Sequence, residues 1–349
     1  MRSFPKITVL MPVYNCENFV EKAVQSILNQ TFTDFEFIII DDASTDKTLD
    51  IVKSFIDLRI SIIEKARNSG YVNSLNHGLS IARGKYIARM DGDDISLPMR
   101  FQRQVSFMDA NKDVVVCGTN FNYLNKEGVK NNPILHDDIK IRLLYKNSLG
   151  HPTVMIRKSA LINHRLNYDV SKEPAEDYAL WVKLLGIGNL HNLDEVLLSY
   201  RQHDNQVSIR KLSVKPKIRA EIRISILEYI NYFPSLKEKK LLMKSFSRLE
   251  VPSYNDLISF ENLSKLLLLK NSNNFFNTIQ FNSYLNYQKK VIYKDYFTNR
   301  LRYNPVVFIN YVKLKFRFEG NFEKVNSVKL FFKCLVFHKN LKSRFKDII

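Results

Sequence analysis

The chain has 349 residues, 45% hydrophobic and 12% aromatic, enough to bury a full core and more than a single small domain needs, which excludes a disordered polypeptide. Its formal charge of +18 is uneven: residues 1–209 carry 25 Lys and Arg against 25 Asp and Glu, leaving 28 against 10 for residues 210–349. A neutral body with a basic C-terminal part points to specific chemistry in the body and an anionic contact, nucleic acid or a membrane face, for the remainder.

The first apolar run, ITVLMPVY, reads as a strand: it is too short for a secretory leader, lacks a small-residue cleavage site and runs into Pro12 and Asn15. Next come NFVEKAVQSILNQ with a helical period, the continuous FEFIIIDD, the helical KTLDIVKSFI, then ISIIEK, YVNSLNHGLSIA, YIARMD, RFQRQVSFM and VVVCG. Short apolar runs alternating with helical periods predict βαβ units around a mostly parallel sheet flanked by helices, an α/β fold. Runs 36–40 and 113–117 are apolar on both faces, as central parallel strands are. Residues 118–209 read as α+β: an Asn-rich loop, a strand-like HPTVMIRKSAL, a helix from near Glu176 and a strand VLLSYRQH. From residue 213 the pattern is helical and basic. This gives two domains, 1–209 and 210–349.

Three scattered cysteines, Cys16, Cys117 and Cys334, argue against a disulfide framework or a zinc site. No stretch reaches the ~18 consecutive apolar residues that span a bilayer. A cytoplasmic protein is expected, peripheral to a membrane at most.

In parallel sheets ligands sit beyond the carboxyl ends of the strands. Here those ends are PVYN (12–15), DDASTD (41–46) and MDGDD (90–94). On an extended segment Asp91 and Asp93 point the same way, and like charges so close call for a cation between them. Hard carboxylate oxygens suit Mg2+ or Mn2+. The alternative is that these aspartates cap the helix near Pro98 or line a solvated turn. Asp42 can hydrogen-bond a base or ribose, or belong with Ser44 and Asp46 to a helix cap. Neither G-x-G-x-x-G after the first strand nor a P-loop occurs, which argues against nicotinamide chemistry and P-loop phosphoryl transfer.

ITVLMPVYNCENFVEKAVQSILNQTFTDFEFIIIDDASTDKT, ARGKYIARMDGDDISLPMRFQRQVSFM and AEDYALWVKLL together resemble the family 2 glycosyltransferases over roughly residues 5–208. The resemblance implies the GT-A, Rossmann-like fold, a nucleotide-sugar donor, with UDP favoured, and inversion at the anomeric carbon. It puts Pro12, Tyr14 and Asn15 against the uridine, Asp42 on the base or ribose, Asp91 near the ribose and Asp93 on the metal. Asp177 falls on the catalytic base, preceded by Glu176, and Arg201 and His203 fall in the segment that closes over the diphosphate; His203 reads equally well as a polar residue after a strand. A base such as Asp177 fits the chemistry, since the acceptor hydroxyl must lose a proton while the nucleoside diphosphate leaves from the opposite face.

The basic remainder holds VNSVKLFFKCLVFHKNLKSRFK, which sets Val328, Phe331, Phe332, Leu335 and Val336 on one helical face with Lys329, Lys333 and Lys339 off it. That pattern suits a helix in an anionic membrane interface, as does an equal reading in which the face packs on the catalytic domain. A membrane suits a saccharide acceptor carried on a lipid, as in O-antigen, capsule or exopolysaccharide synthesis. Competing classes are a metal-dependent nucleotidyltransferase, which needs no base at Asp177, and a nucleic-acid-binding protein, for which no recognition motif appears. No nucleic acid is expected as partner; donor sugar, linkage and oligomeric state are not readable.

Overall fold

A computed structural model describes residues 4–203, 214–317 and 325–339. The chain divides into two compact units, Met1–Arg210 and Lys211–Ile349.

In the first unit β1 (Ile7–Val13) and β2 (Phe35–Asp41) are buried at every residue, as strands covered on both faces must be, with Thr8 Oγ1 donating to Glu36 at 2.6 Å to satisfy two of their few polar side chains. They alternate with α1 (Val20–Leu28), α2 (Thr48–Lys53), β3 (Ile60–Glu64), α3 (Tyr71–Ile81) and β4 (Tyr86–Arg89). The order β3-β2-β1-β4 is parallel throughout. Pro12 is tolerated in β1 because it lies past Leu10, the last residue that β4 pairs, so its missing N–H leaves no gap in that ladder.

Beyond β4 the sheet becomes mixed. After β5 (Ile95–Ser96) and α4 (Arg100–Ala110) come β6 (Val114–Tyr123), β7 (Val129–Lys130), α5 (His136–Leu143), β8 (Met155–Arg157), α6 (Lys158–Asn163), α7 (Glu176–Leu184) and β9 (Asn189–Tyr200). β8 runs antiparallel between β4 and β6, while β9 runs parallel to β6 and carries β5 on its other edge. Of the expected run 113–117, Asp113 is exposed and precedes the strand, whereas 114–117 are buried on both faces and mark a central strand with one parallel and one antiparallel neighbour.

Two local expectations are corrected. HPTVMIRKSAL is not one strand: it divides into a 3-10 turn at His151–Thr153, the three residues of β8, and α6. The Asn-rich stretch after Cys117 is not a loop but the second half of β6. Its amides are satisfied inside the sheet, with Asn120 Nδ2 donating to Asp194 at 3.0 Å and Ser199 Oγ donating to Asn122 at 2.7 Å.

Buried polar groups pin the strand ends. Arg100, fully buried, donates to the carbonyl of Arg89 at 2.7 Å and so fixes the end of β4, where a charge needs such partners. Gln30 donates to Leu97 O at 2.8 Å and accepts from Phe101 N at 3.1 Å, tying the end of α1 to the start of α4.

The second unit is helical: α8 (Lys215–Ile226), α9 (Leu236–Ser247), α10 (Tyr254–Lys270), α11 (Thr278–Thr298), α12 (Pro305–Arg317) and α13 (Ser327–Leu335). α9 and α10 each open on a capping box, Ser235 with Glu238 and Ser253 with Asp256. Among the described residues, no helix is long and apolar enough to cross a membrane.

Candidate active site

The acidic segment after β4 is a turn rather than an extended run. A Cβ at Gly92 would lie 2.9 Å from Val13 Cγ1 and 3.1 Å from Cys16 Sγ, so glycine lets this turn close onto the end of β1. The turn gathers Asp91, Asp93 and also Asp94 so that one carboxylate oxygen from each lies within 4.8 Å of the others.

The segment after β9 returns to the same turn. Arg201 N donates to Asp94 Oδ1 at 2.8 Å, and Arg201 Nε donates to the carbonyl of Asp93 at 2.9 Å. His203 Nε2 lies 2.8 Å from Asp93 Oδ2. The Phe19 ring supports both, 4.7 Å from the Arg201 guanidinium carbon and 5.1 Å from the His203 ring. The fold therefore brings Asp91, Asp93, Arg201 and His203 together; of the segment YRQHDNQVS, residues 204–208 lie outside the described residues.

Arg89, buried at the end of β4, pairs with Asp91. Burial pushes the Asp91 carboxyl up, the Arg89 charge pulls it back, and Asp93 pushes it up further. Burial, with Asp91 and Asp93 adding to it, holds Asp94 well above the carboxylate range. Asp94 Oδ2 is buried with no hydrogen-bond partner among the described residues. Two carboxyls held high and one orphaned oxygen are a cost that a bound cation would remove, so the donor set fits Mg2+ or Mn2+.

At the start of α7 lie Glu176 and Asp177. Asp177 Oδ2 accepts from Asn147 Nδ2 at 2.7 Å and Oδ1 from its neighbour's amide, Tyr178 N, at 2.6 Å. Glu176 is buried; its Oε2 accepts from the Tyr71 hydroxyl at 2.7 Å, and its Oε1 lies 3.8 Å from His151 Nδ1. Burial first, and then the charge of Asp177, raise Glu176 to about 8. Burial holds His151 well below its ordinary value, with Arg89 adding to it, so the ring is neutral beside Glu176; its Nε2 lies 3.0 Å from Tyr168 Oη. The Asp177 charge also raises Asp91, which joins the two carboxylate groups in one electrostatic field.

At the β1 end Tyr14 is half exposed, Pro12 is buried in the strand, and Asn15 takes a left-handed φ of 48°. Asn15 is engaged with the loop after β2: its side-chain Oδ1 accepts from Thr45 N at 2.8 Å, and its backbone N donates to Ser44 Oγ at 3.1 Å. Asp42 is likewise engaged. Oδ1 accepts from Lys65 Nζ at 2.8 Å and Ser69 N at 3.1 Å, and Oδ2 accepts from Gly70 N at 2.8 Å. Burial alone would raise this carboxyl, but Lys65 and the two amides outweigh it and hold it below its ordinary value. Of the capping roles expected nearby, Asp46 accepts from Thr48 N at 2.9 Å, whereas Ser44 serves Asn15.

Sequence reading did not single out Tyr71, Arg89, Asn147, His151 or Tyr168. Arg89 carries a signal, a charge inside an otherwise apolar strand that must find a partner. Asn147 and Tyr71 carry none, because only the fold sets them beside α7.

The description "Glycosyl transferase family 2" matches residues 8–170. The putative glycosyltransferase EpsE of Bacillus subtilis (strain 168) is 36% identical over 219 residues, covering 61% of this chain and 79% of that protein. WfaP of Escherichia coli, a UDP-Glc:alpha-D-GlcNAc-diphosphoundecaprenol beta-1,3-glucosyltransferase, is 33% identical over 211 residues, 59% of this chain and 80% of that one. Among solved structures, S. aureus TarS in complex with UDP-GlcNAc superposes with a TM-score of 0.58 at 21% identity, over 83% of this chain and 91% of that chain, a likeness of fold alone.

Proposed function

The chain belongs to the family 2 glycosyltransferases, with the GT-A type of fold, and on that premise we propose that it is an inverting enzyme working on a UDP-sugar. Its acceptor is a hydroxyl of a saccharide carried on a lipid, and its product a bacterial cell-surface polysaccharide of the O-antigen, capsule or exopolysaccharide kind. WfaP, whose name contains UDP-Glc and a diphosphoundecaprenol-linked sugar, supports both donor and acceptor class. Such an acceptor would hold the enzyme at the cytoplasmic face of the membrane as a peripheral protein.

The observation that carries the reaction is the gathering of three carboxylates at 91–94, one oxygen of each within 4.8 Å of the others, with Arg201 and His203 bonded to the same turn. In the proposed displacement the acceptor oxygen forms a bond to the anomeric carbon, its proton passes to Asp177, and the bond from that carbon to the diphosphate oxygen breaks with its electron pair leaving on UDP. The Asn147 amide and the Tyr178 N–H hold the Asp177 carboxylate in one orientation for that proton. Glu176, raised to about 8, keeps its proton at neutral pH and adds no second full charge beside Asp177. Arg201 and His203 bond to Asp93 of the acidic turn, where a cationic and a hydrogen-bonding side chain can meet the diphosphate. Pro12, Tyr14 and Asn15 border the space for the uridine.

Asp91, Asp93 and Asp94 would hold Mg2+ or Mn2+. That ion, when bound, supplies positive charge against the diphosphate as it departs.

The test is release of UDP from a panel of UDP-sugars with Mn2+, Mg2+ or EDTA, comparing wild type with Asp93→Ala and Asp177→Asn. Metal-dependent release from one donor, lost in both variants, is the expected result. Release that persists in EDTA and in both variants would sink the reading.

A further inference from the structure

We propose that the outer face of the α12–α13 pair is a docking surface for an anionic lipid bilayer. The two helices meet through their inner faces: Leu330 and Cys334 of α13 and Val307, Tyr311 and Leu314 of α12 are buried, and the Phe308 and Phe331 rings lie 5.0 Å apart. What remains outside is apolar as well. Val306, Ile309 and Val312 form an exposed stripe on α12, while Phe332 and Leu335, with Val336 just after the helix, are each more than half exposed. An exposed apolar face of this kind on a folded unit marks a contact that the unit itself does not supply.

Charge selects the occupant. Lys313 and Lys315 on α12 and Lys329 on α13 are exposed beside the stripe, and residues 211–349 carry 27 Lys and Arg against 10 Asp and Glu. A second copy would bring the same excess of positive charge against this face. Nucleic acid would satisfy the lysines and leave the phenylalanines in water, since its affinity comes from phosphate contacts. A bilayer with anionic headgroups satisfies both, taking apolar side chains below the headgroup level while lysines stay among the phosphates. Lys333 contributes less than its place in the sequence implied, because its ammonium lies 4.8 Å from the Tyr303 ring centre and is drawn below its ordinary pKa by burial. Lys342, in the same basic run, lies outside the described residues. The surface deepens the lipid-linked reading above, and its test does not pass through the reaction.

The experiment is co-sedimentation of the full chain with vesicles of phosphatidylcholine alone or mixed with phosphatidylglycerol. Wild type is expected to sediment with the mixed vesicles and far less with phosphatidylcholine alone. Lys329→Gln should weaken that partition about fivefold, the loss of one near-surface charge. Phe332→Ser with Val336→Ser should weaken it tenfold or more, both side chains being too exposed to hold the unit together. UDP release should be unchanged in these variants, so loss of vesicle binding and loss of catalysis are separately readable. Equal sedimentation with both vesicle types, or partition unaltered in Lys329→Gln and in the double variant, would overturn the proposal. So would concentration-dependent self-association that the double variant abolishes, which would assign the face to a second copy, or vesicle-independent retention on nucleic acid lost in Lys329→Gln alone.

Discussion

The Tyr71 hydroxyl donates to Glu176 at 2.7 Å across 105 positions of sequence, joining the first turn of α3 to the first turn of α7. Burial, with Glu176 adding to it, pushes the Tyr71 phenol far above its ordinary value, so it remains a donor at every working pH. Glu176 itself is raised from 4.5 to about 8. A carboxyl raised on folding stabilises fully below its unfolded value, and that stability is lost as pH rises through the folded one. Wild type should therefore lose stability between pH 4.5 and about 8. Glu176→Gln, which keeps an acceptor for Tyr71 and cannot ionise, should lose less, by at least ~1 kcal/mol at the alkaline end. Urea titrations across that window check it; parallel curves for the two proteins would contradict it. Tyr71→Phe removes the bond that favours the ionised form and should move the loss to higher pH.

Asp42 leads to the opposite sign. Its carboxyl is held below its ordinary value, so its contribution is present above the unfolded value near 3.8 and disappears as pH falls through the folded one. The side chain of Asp42 is almost wholly buried and that of Lys65 mostly so, and removing one partner of such a pair costs ~3–5 kcal/mol. Asp42→Ala should lower the unfolding free energy by that order, while Asp42→Asn, which can still accept from one of Ser69 N and Gly70 N, should lose less. Because the same loop carries Tyr71, turnover should fall together with stability. A variant of normal stability whose only defect is a higher KM for the donor would instead make Asp42 a base or ribose ligand.

What was legible in the sequence follows from what burial dictates. FEFIIID and ITVLMPV set apolar residues on both faces, broken only by Glu36, Asp41 and Thr8, so both faces had to be covered and parallel neighbours were implied. MDGDD was visible because three carboxylates at the mouth of a buried strand require a physical reason. By contrast, β8 is three residues long and its antiparallel course leaves no periodicity to read. The second half of β6 is polar because its asparagines bond to Asp194 and Ser199, partners more than 70 positions away. Asn147 sits on Asp177 for the same long-range reason. Asp42 is ambiguous in a different way: an acidic residue at a strand end can serve a ribose or its own loop, and its bonds to Lys65, Ser69 and Gly70 come from positions 23–28 residues away that the sequence does not bring together.

The acidic turn predicts a response to metal that does not depend on turnover. With Asp94 held well above its ordinary value and one of its oxygens without a partner, the metal-free turn is under repulsion. Mn2+ or Mg2+ should raise the melting temperature of the nucleotide-free protein. A cation present at a hundredfold its Kd stabilises by ~2.7 kcal/mol. Asp93→Ala should abolish the rise. Asp94→Asn should melt higher than wild type in EDTA and gain less from the cation, because the neutral amide relieves the repulsion and weakens the site. Identical melting of all three proteins with and without metal would leave the turn as a structural cap.

Asn147 and Asp177 supply the sharpest separation between positioning and chemistry. The Asn147 amide holds one oxygen of Asp177 at 2.7 Å, and a hydrogen bond to a charged acceptor contributes ~1.5–3 kcal/mol, so Asn147→Ala should lower kcat by roughly tenfold to a hundredfold. Asp177→Asn removes the proton acceptor itself and should cost ~10²–10⁴-fold, with the KM for the donor nearly unchanged, since the base meets only the acceptor. The two losses should not add. Once Asp177 is an amide there is no carboxylate left to orient, and the double variant should turn over no more slowly than Asp177→Asn alone. If instead the losses multiply, Asn147 touches substrate on its own account and the proton leaves by another residue. Glu176, one position away and relieved in Asp177→Asn of the charge that helps to raise it, would then be the first candidate.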